Sequence, residues 1–130
     1  MRDNKYLLFC LKEIIAQYFY DLNLCHNLEI KFSRANRRVM GSVRYLKRQK
    51  TSLIRVNGYL RNSALPGFLI NAIIAHELCH LVHGFSSYQK PKYRYPHHGG
   101  IIKRELKNRG LLELDRKLKK WLKTNWRNII

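Results

Sequence analysis

The stretch Asn71-Ala-Ile-Ile-Ala-His-Glu-Leu-Cys-His-Leu-Val-His-Gly84 decides the fold, because it places the motif His76-Glu77-Leu78-Cys79-His80 within an apolar helical pattern. Residues four apart lie on the same face of a helix, so His76 and His80 can turn ring nitrogens toward one point. A catalytic Zn²⁺ uses three protein ligands and a water. Glu77 is then placed to accept a proton from that water. The motif therefore predicts a zinc site with Glu77 as the general base.

The residues around this motif predict a buried helix. Pro66 suits the first turn of a helix, and Gly84 suits the left-handed residue after its last turn. The residues between them are apolar around most of the helix circumference, which is typical of an interior helix. Histidines and a glutamate on such a helix need partners, because an unpaired buried charge is costly. A metal would provide them. The alternative is a pair of core histidines that hydrogen-bond to neighbouring carbonyls.

The composition indicates a globular protein with an unusual charge. The 130 residues suffice for one domain, residues 1–130, and the hydrophobic fraction of 45% does not favour disorder. Lys and Arg number 26 against 8 Asp and Glu, so the formal net charge is +18. Such a chain repels itself unless a polyanion offsets the charge. Nucleic acid is the expected partner, and an anionic membrane surface or an acidic protein are the alternatives.

The cysteines and the N-terminal residues indicate an intracellular location. Cys10, Cys25 and Cys79 are odd in number and contain no Cys-x-x-Cys pair, which favours neither a disulfide framework nor a zinc ribbon. The apolar run 7–11 is too short for a signal-peptide core or a membrane span. We therefore expect a cytoplasmic protein with no membrane partner, and association with the nucleoid is compatible with its charge.

The remaining segments predict an α+β architecture. Apolar residues at three- and four-residue spacing over 5–22 predict an amphipathic helix. Alternating apolar and charged residues predict a half-buried strand at 28–32, and two more short strands are expected at 39–45 and 52–56. An edge strand of this sheet beside the metal helix would let an extended peptide add as a further strand. Two more helices are expected, at 100–109 and 114–125, and the second begins a basic C-terminal helical extension of about residues 111–130.

Two basic segments are candidates for nucleic-acid binding. Lys90, Lys92 and Arg94 alternate with tyrosines in a proline-containing loop, a pattern that suits phosphates and stacked bases of a single strand. The alternative is a loop anchored by its tyrosines. Lys117 and Lys120 belong to the basic face of the last helix, which is either solvated or in contact with phosphates.

Three candidates compete to be the third zinc ligand. His83 lies two turns from His76, so one helix is not expected to bring His76, His80 and His83 to a single tetrahedral ion. His83 is instead expected behind the metal ligands or at the surface. Glu105 on the following helix is possible. The best candidate is the pair His97-His98, which precedes Gly99 and a predicted helix.

At this point the sequence resembles a known family. His76-Glu77-x-x-His80, a variable loop and His98-Gly99-x-x-Ile102 look like the metalloprotease core of the SprT/Spartan family, whose third zinc histidine lies in a His-Gly-x-x-Phe segment. Met40-Gly41-Ser42 is similar to that family's Gly-containing strand, and Ile54-Arg55-Val56-Asn57 with Leu60 is similar to its Ile-x-Leu-Asn-Pro-x-Leu segment. The resemblance covers about residues 10 to 110.

The resemblance implies a zincin-like metalloprotease domain with zinc ligands His76, His80 and His98 and with Glu77 as general base. It selects His98 over His97, because the following Gly99 matches. It also implies a substrate class, proteins crosslinked to or tightly bound on DNA. Three features depart from the family pattern: Ile102 replaces an aromatic residue, Gly58 replaces a proline, and the sequence has no cysteine-rich zinc ribbon. DNA binding would then fall to the basic surface itself.

Two other functions compete with this one. The chain could be a nucleic-acid-binding protein whose zinc is structural or whose protease core is inactive. It could also be a protease without a nucleic-acid role, its charge matched to an acidic substrate protein. A structural zinc site has four protein ligands, whereas a catalytic site leaves a position for water.

Overall fold

The computed structural model describes residues 1–24, 26–83 and 100–129. Over these ranges four α-helices and a three-stranded sheet form an α+β fold, which confirms the predicted class. The elements follow one another as α1 (Asn4–Tyr18), β1 (Asn27–Phe32), β2 (Gly41–Leu46), β3 (Thr51–Val56), a 3-10 turn (Gly58–Arg61), α2 (Phe68–Val82), α3 (Ile101–Asn108) and α4 (Leu112–Ile129). Within the described ranges, none of the helices has the length and apolar character needed to cross a bilayer.

Helix α1 is shorter than the predicted 5–22. It begins after Asp3, whose side chain accepts a hydrogen bond of 2.9 Å from the backbone N–H of Tyr6. It ends at Tyr18 because Phe19 leaves the helical conformation and is fully buried, with the Arg109 guanidinium 4.3 Å from its ring centroid. The apolar periodicity continued past this point, so the sequence pattern did not mark the end of the helix.

The sheet has the order β1-β3-β2, with β3 in the centre. Strand β3 pairs in parallel with β1 and antiparallel with β2, so that Ile54 lies opposite Ile30 on one side and Val43 on the other. Central strands are covered on both faces, and every residue of β3 except Arg55 is buried. The three predicted strands are confirmed, and β2 is an edge strand within the described part of the chain.

Strand β2 begins at Gly41, two residues later than predicted, because Asn57 holds the preceding residues in a loop. The Asn57 side-chain amide donates hydrogen bonds to the carbonyls of Asn36 at 2.7 Å and Val39 at 2.9 Å. Its backbone N–H donates to the Met40 carbonyl at 2.8 Å. Asn57 is itself 1% exposed, so the interior fixes the entry to the edge strand.

Helix α2 lies at the centre of the fold and contacts α1, β2, β3, α3 and α4. It begins at Phe68, so Pro66 belongs to the preceding turn, where its carbonyl accepts a bond from the N–H of Leu69. The predicted C-terminal residue Gly84 lies outside the described residues. Most of α2 is buried, which confirms the interpretation of an interior helix.

Helices α3 and α4 form a corner that packs on α2. Gly110, with φ of +79°, allows the left-handed turn between them, and the Leu111 N–H donates to the Leu106 carbonyl at 2.8 Å. Helix α4 extends past the predicted end at residue 125. Its last turns are held by Trp126, whose indole N–H donates to the Arg37 carbonyl at 3.0 Å and whose ring lies edge-on to Tyr59.

Candidate metal centre and active site

The two motif histidines bring their ring nitrogens together on one face of α2. The Nε2 atoms of His76 and His80 are 3.3 Å apart, and the rings meet edge to face. Two nitrogens that each lie about 2.0–2.1 Å from one tetrahedral Zn²⁺ are separated by about 3.3–3.4 Å. The pair therefore fits two positions of a zinc site. Among residues 1–24, 26–83 and 100–129, no three His, Cys, Asp or Glu side chains are grouped so that they could hold one metal ion.

Glu77 lies beside this pair in a surface groove. Its side chain is only 7% exposed, and it lines a cavity of about 360 Å³ together with His76. Burial raises the pKa of the Glu77 carboxyl to about 7. A carboxyl with a pKa near neutrality is able to accept a proton and later to return it, which is the behaviour of a general base.

The groove runs between the entry to the edge strand and α4. Gly41 lets β2 approach α2: a Cβ at this position would collide with Ile73 Cγ2 and would lie 3.5 Å from Glu77 Oε1. Apolar side chains form most of the walls, and Arg38 and Lys119 bring positive charge to the groove. The apolar residues are Val39, Met40, Ile73, Leu118 and Leu122. An extended peptide could lie along this groove beside the carboxyl of Glu77. We call it the peptide groove.

The candidate third ligands have different positions. His98 and its neighbour His97 lie outside the described residues, so the choice between them stays a prediction. Glu105 is directed elsewhere: its Oε1 is 2.8 Å from His83 Nε2, and its Oε2 accepts a bond of 2.8 Å from Arg109 Nε. Both carboxylate oxygens are already engaged, which is the physical reason against Glu105 as a metal ligand.

His83 is a buried structural residue in this arrangement. It is 3% exposed and donates to Glu105, whereas the sequence suggested a residue near the metal or at the surface. Burial alone would raise the pKa of the Glu105 carboxyl, but the hydrogen bonds from His83 and Arg109 and their positive charge outweigh it and lower the pKa. The carboxylate therefore stays ionised at neutral pH.

The predicted nucleic-acid contacts are only partly described. Lys90, Lys92 and Arg94 lie outside the described residues. Lys117 lies on α4, with its ammonium 4.4 Å from the centroid of the Phe68 ring in a cation–π contact. Lys120 is exposed on the same helix.

Sequence reasoning missed Asp115. This residue is 4% exposed, and its Oδ2 is 2.9 Å from Lys119 Nζ. It lines the groove with His76 and Glu77, and it also lines a second cavity of about 230 Å³ with His76. The only signal in the sequence is a carboxylate within a run of cations, four residues before Lys119, which does not distinguish a site residue from an ordinary helix ion pair.

Comparisons with known proteins give one similarity. No protein-family model matches the chain, and no curated protein matches it. Among solved structures, the chain is similar to the crystal structure of the metallopeptidase zymogen of Methanocaldococcus jannaschii jannalysin, with 24% sequence identity and a TM-score of 0.48. The match covers 89% of this chain and 96% of that one.

Proposed function

We propose that this chain is a zinc-dependent endopeptidase of the SprT/Spartan type. The observation that carries the proposal is the 3.3 Å separation of the His76 and His80 Nε2 atoms beside a buried carboxyl in a groove. His76 and His80 would hold the metal together with His98, the ligand that the family resemblance implies.

The residues of the chain would divide the work of peptide hydrolysis. Zinc, when bound, would polarise the scissile carbonyl and activate a water by lowering its pKa. Glu77 would accept the proton of the attacking water and then donate it to the leaving amine. Burial raises the pKa of this carboxyl, which favours its holding the proton before the proton is returned.

The edge strand supports a role for the sheet in substrate binding. Strand β2 pairs with β3 on one side, and no other strand of the described chain pairs with its second side. An extended peptide would add there through backbone hydrogen bonds, and its side chains would contact the apolar wall of the groove. Such binding selects extended segments of proteins and is compatible with a broad substrate range.

The substrates proposed are proteins bound on or crosslinked to DNA. The net charge of +18 supports an anionic partner, and the order of the sequence segments that resemble SprT/Spartan supports this substrate class. With these substrates we propose a cytoplasmic, nucleoid-associated location.

Metal content tests the proposal directly. Protein purified without a histidine tag should hold about one zinc, which His76→Ala and His80→Ala should remove and a chelator should extract. His83→Ala is the matched control and should keep the metal, because His83 pairs with Glu105. Zinc absent from the wild-type protein would refute the site, since a hydrogen bond between two neutral rings also fits 3.3 Å.

The third ligand and the reaction need separate measurements. His98→Ala should lose zinc, and His97→Ala should retain it. Cleavage of casein and of a DNA-binding protein, each with and without DNA, then tests the enzyme. A tightly bound zinc without cleavage in any of these mixtures would favour a structural zinc in a nucleic-acid-binding protein.

A further inference from the structure

A second groove, at the corner between α3 and the start of α4, gathers positive charge. It has a volume of about 360 Å³ and is lined by four cationic side chains with Gly100 and Leu112. The cations are Lys103, Arg104, Lys107 and Arg116. None of the residues that line it is acidic. We call it the cation groove.

The helix geometry explains why these cations converge. Lys103 and Lys107 are four residues apart and therefore lie on one face of α3, about 100° around the helix from the buried Ile102 and Leu106. The left-handed Gly110 turns the chain back, so that the first turns of α4 bring Arg116 to the same groove. The corner is rigid, because Leu106 and Leu111 are both buried in the core.

Among the described residues, Lys103 and Lys107 of the cation groove form no ion pair with a carboxylate. Arg116 pairs with Glu113, whose Oε1 is 2.7 Å from the Arg116 guanidinium. Both side chains are well exposed, and ion pairs of this kind contribute little to stability. Like charges held close together repel one another, so an anion in the groove would reduce the electrostatic repulsion between the cations.

The cation groove shares two lining residues with the cavity that reaches His76. The cavity of about 230 Å³ that reaches His76 is also lined by Gly100 and Lys103, two residues of the cation groove. Lys119 lies on the wall of that cavity and on the wall of the peptide groove. Lys103 therefore brings positive charge from the α3–α4 corner to the cavity beside His76, where Lys119 is paired with the buried Asp115.

We propose that the cation groove binds the phosphodiester backbone of a nucleic acid and holds it beside the active site. The groove places the contacts on Lys103, Lys107 and Arg116, whereas Lys117 and Lys120, the sequence-based candidates, do not line it. Binding does not depend on proteolysis. Its consequence, the presentation of a DNA-bound protein to Glu77, rests on the proposed function.

A nucleic acid fits this groove better than a membrane surface does. Helices that bind the membrane interface place large apolar side chains beside their cations. The large apolar side chains that the described residues expose are Met1, Leu8, Phe9, Tyr20 and Val39, and none belongs to α3 or α4. The corner therefore presents cationic side chains without a large apolar side chain beside them, as sites that contact phosphate groups do.

The test compares two triple variants with the same change in charge. One removes the groove cations, Lys103→Gln, Lys107→Gln and Arg116→Gln. The control removes exposed cations of α1 and the β2–β3 turn, Lys12→Gln, Lys47→Gln and Arg48→Gln. Fluorescence anisotropy with short labelled single- and double-stranded DNA over a salt series gives the affinity, and circular dichroism shows whether each variant is folded.

The groove variant should lose at least about tenfold in affinity, and its salt slope should fall by about 0.9 for each phosphate contact removed. The salt slope of the control variant should fall by less than a third of the decrease in the groove variant. Glu113→Gln should bind more tightly than wild type, because it removes the carboxylate that competes for Arg116. This single substitution leaves the packing unchanged and keeps the test valid if the triple variant fails to fold.

Three results would overturn the proposal. They are an equal loss in both triple variants, an unchanged affinity in Glu113→Gln, and binding to anionic lipid vesicles with no binding to either DNA. Zinc content and casein cleavage by the wild-type protein without DNA report on the proposed function separately. A protein that binds DNA through the groove but cleaves nothing would support the groove and contradict the peptidase.

Discussion

Glu105 Oε1 accepts a hydrogen bond of 2.8 Å from Nε2 of His83, the residue that follows α2. The second oxygen of Glu105 accepts a bond from Arg109, whose guanidinium reaches the Asp21 carboxylate at 2.7 Å. This chain of charged groups joins the end of α1, the end of α2 and α3. It ties the C-terminal end of α2 to α3 and to the residues that follow α1.

Glu105→Gln should therefore destabilise the protein at neutral pH, by about 1.5–3 kcal/mol, the range for a hydrogen bond to a charged group. The folded-state pKa of Glu105 lies below its ordinary value of 4.5, so its ionised form stabilises the fold above about pH 4.5. That contribution disappears as the pH falls through the folded pKa. Urea unfolding at pH 7 and pH 3.5 should show a difference between wild type and variant that shrinks at low pH. The exposed carboxylate of Glu29 provides the control, and an equal effect of Glu29→Gln would contradict the assignment.

Glu77→Gln should abolish most peptidase activity and leave zinc binding intact. The amide keeps the size of the side chain but cannot accept the proton, and loss of a general base typically costs about 100- to 10,000-fold in rate. Steady-state cleavage of casein together with metal analysis of the same samples measures both effects. Glu13→Gln, an exposed change on α1, should have no effect. Full activity in Glu77→Gln would remove the mechanism.

Gly41→Ala should separate the edge strand from α2. The added Cβ would collide with Ile73 Cγ2 and lie 3.3 Å from the Arg55 carbonyl oxygen, so β2 must shift. Overpacking of this kind costs about 1–3 kcal/mol. Thermal unfolding would show a lowered midpoint, and the KM for a peptide substrate would rise because β2 lines the groove. Gly67→Ala is the matched control, since the nearest atom to its Cβ is the hydroxyl of Tyr6, at the end of a side chain. Equal midpoints for the two variants would contradict the close approach.

Asn57→Ala should loosen the loop that leads into β2. The side chain donates to the carbonyls of Asn36 and Val39 and accepts from the backbone N–H of Tyr59, and the cost of losing these buried bonds is about 2 kcal/mol. Because Val39 lines the peptide groove, the KM should rise while zinc content stays constant. Asn62→Ala removes one exposed turn bond and serves as the control. A variant with wild-type stability would show that water replaces these bonds.

The motif and the periodicities predicted the architecture because their signals are local. His76 and His80 had to share a face once α2 formed, and the apolar residues Leu53, Ile54 and Val56 indicated the strand that became β3. The close approach of β2 to α2, by contrast, depends on Gly41 meeting Ile73, a contact between residues far apart in the sequence. The resemblance to SprT/Spartan brought attention to the Gly41 segment without giving this physical reason.

The parts that the sequence did not predict are set by tertiary contacts. Phe19 ends α1 by turning into the core, and Trp126 lengthens α4 by bonding to Arg37. The sequence left Glu105 open as a third metal ligand, because a carboxylate on the following helix is compatible with that role. Only the positions of His83 and Arg109 show which role the described chain gives it.

The central position of β3 also has a consequence for the order of folding. Strands β2 and β3 are joined by a short turn, and Leu46 pairs with Thr51. Strand β1 is separated from β3 in the sequence by the whole of β2, and its Asn27 pairs with the same Thr51. Closing the short loop loses less chain entropy than closing the long one. The β2–β3 hairpin should thus form early and offer its open side as the template on which β1 docks, so substitutions in β1 should accelerate unfolding more than they slow refolding.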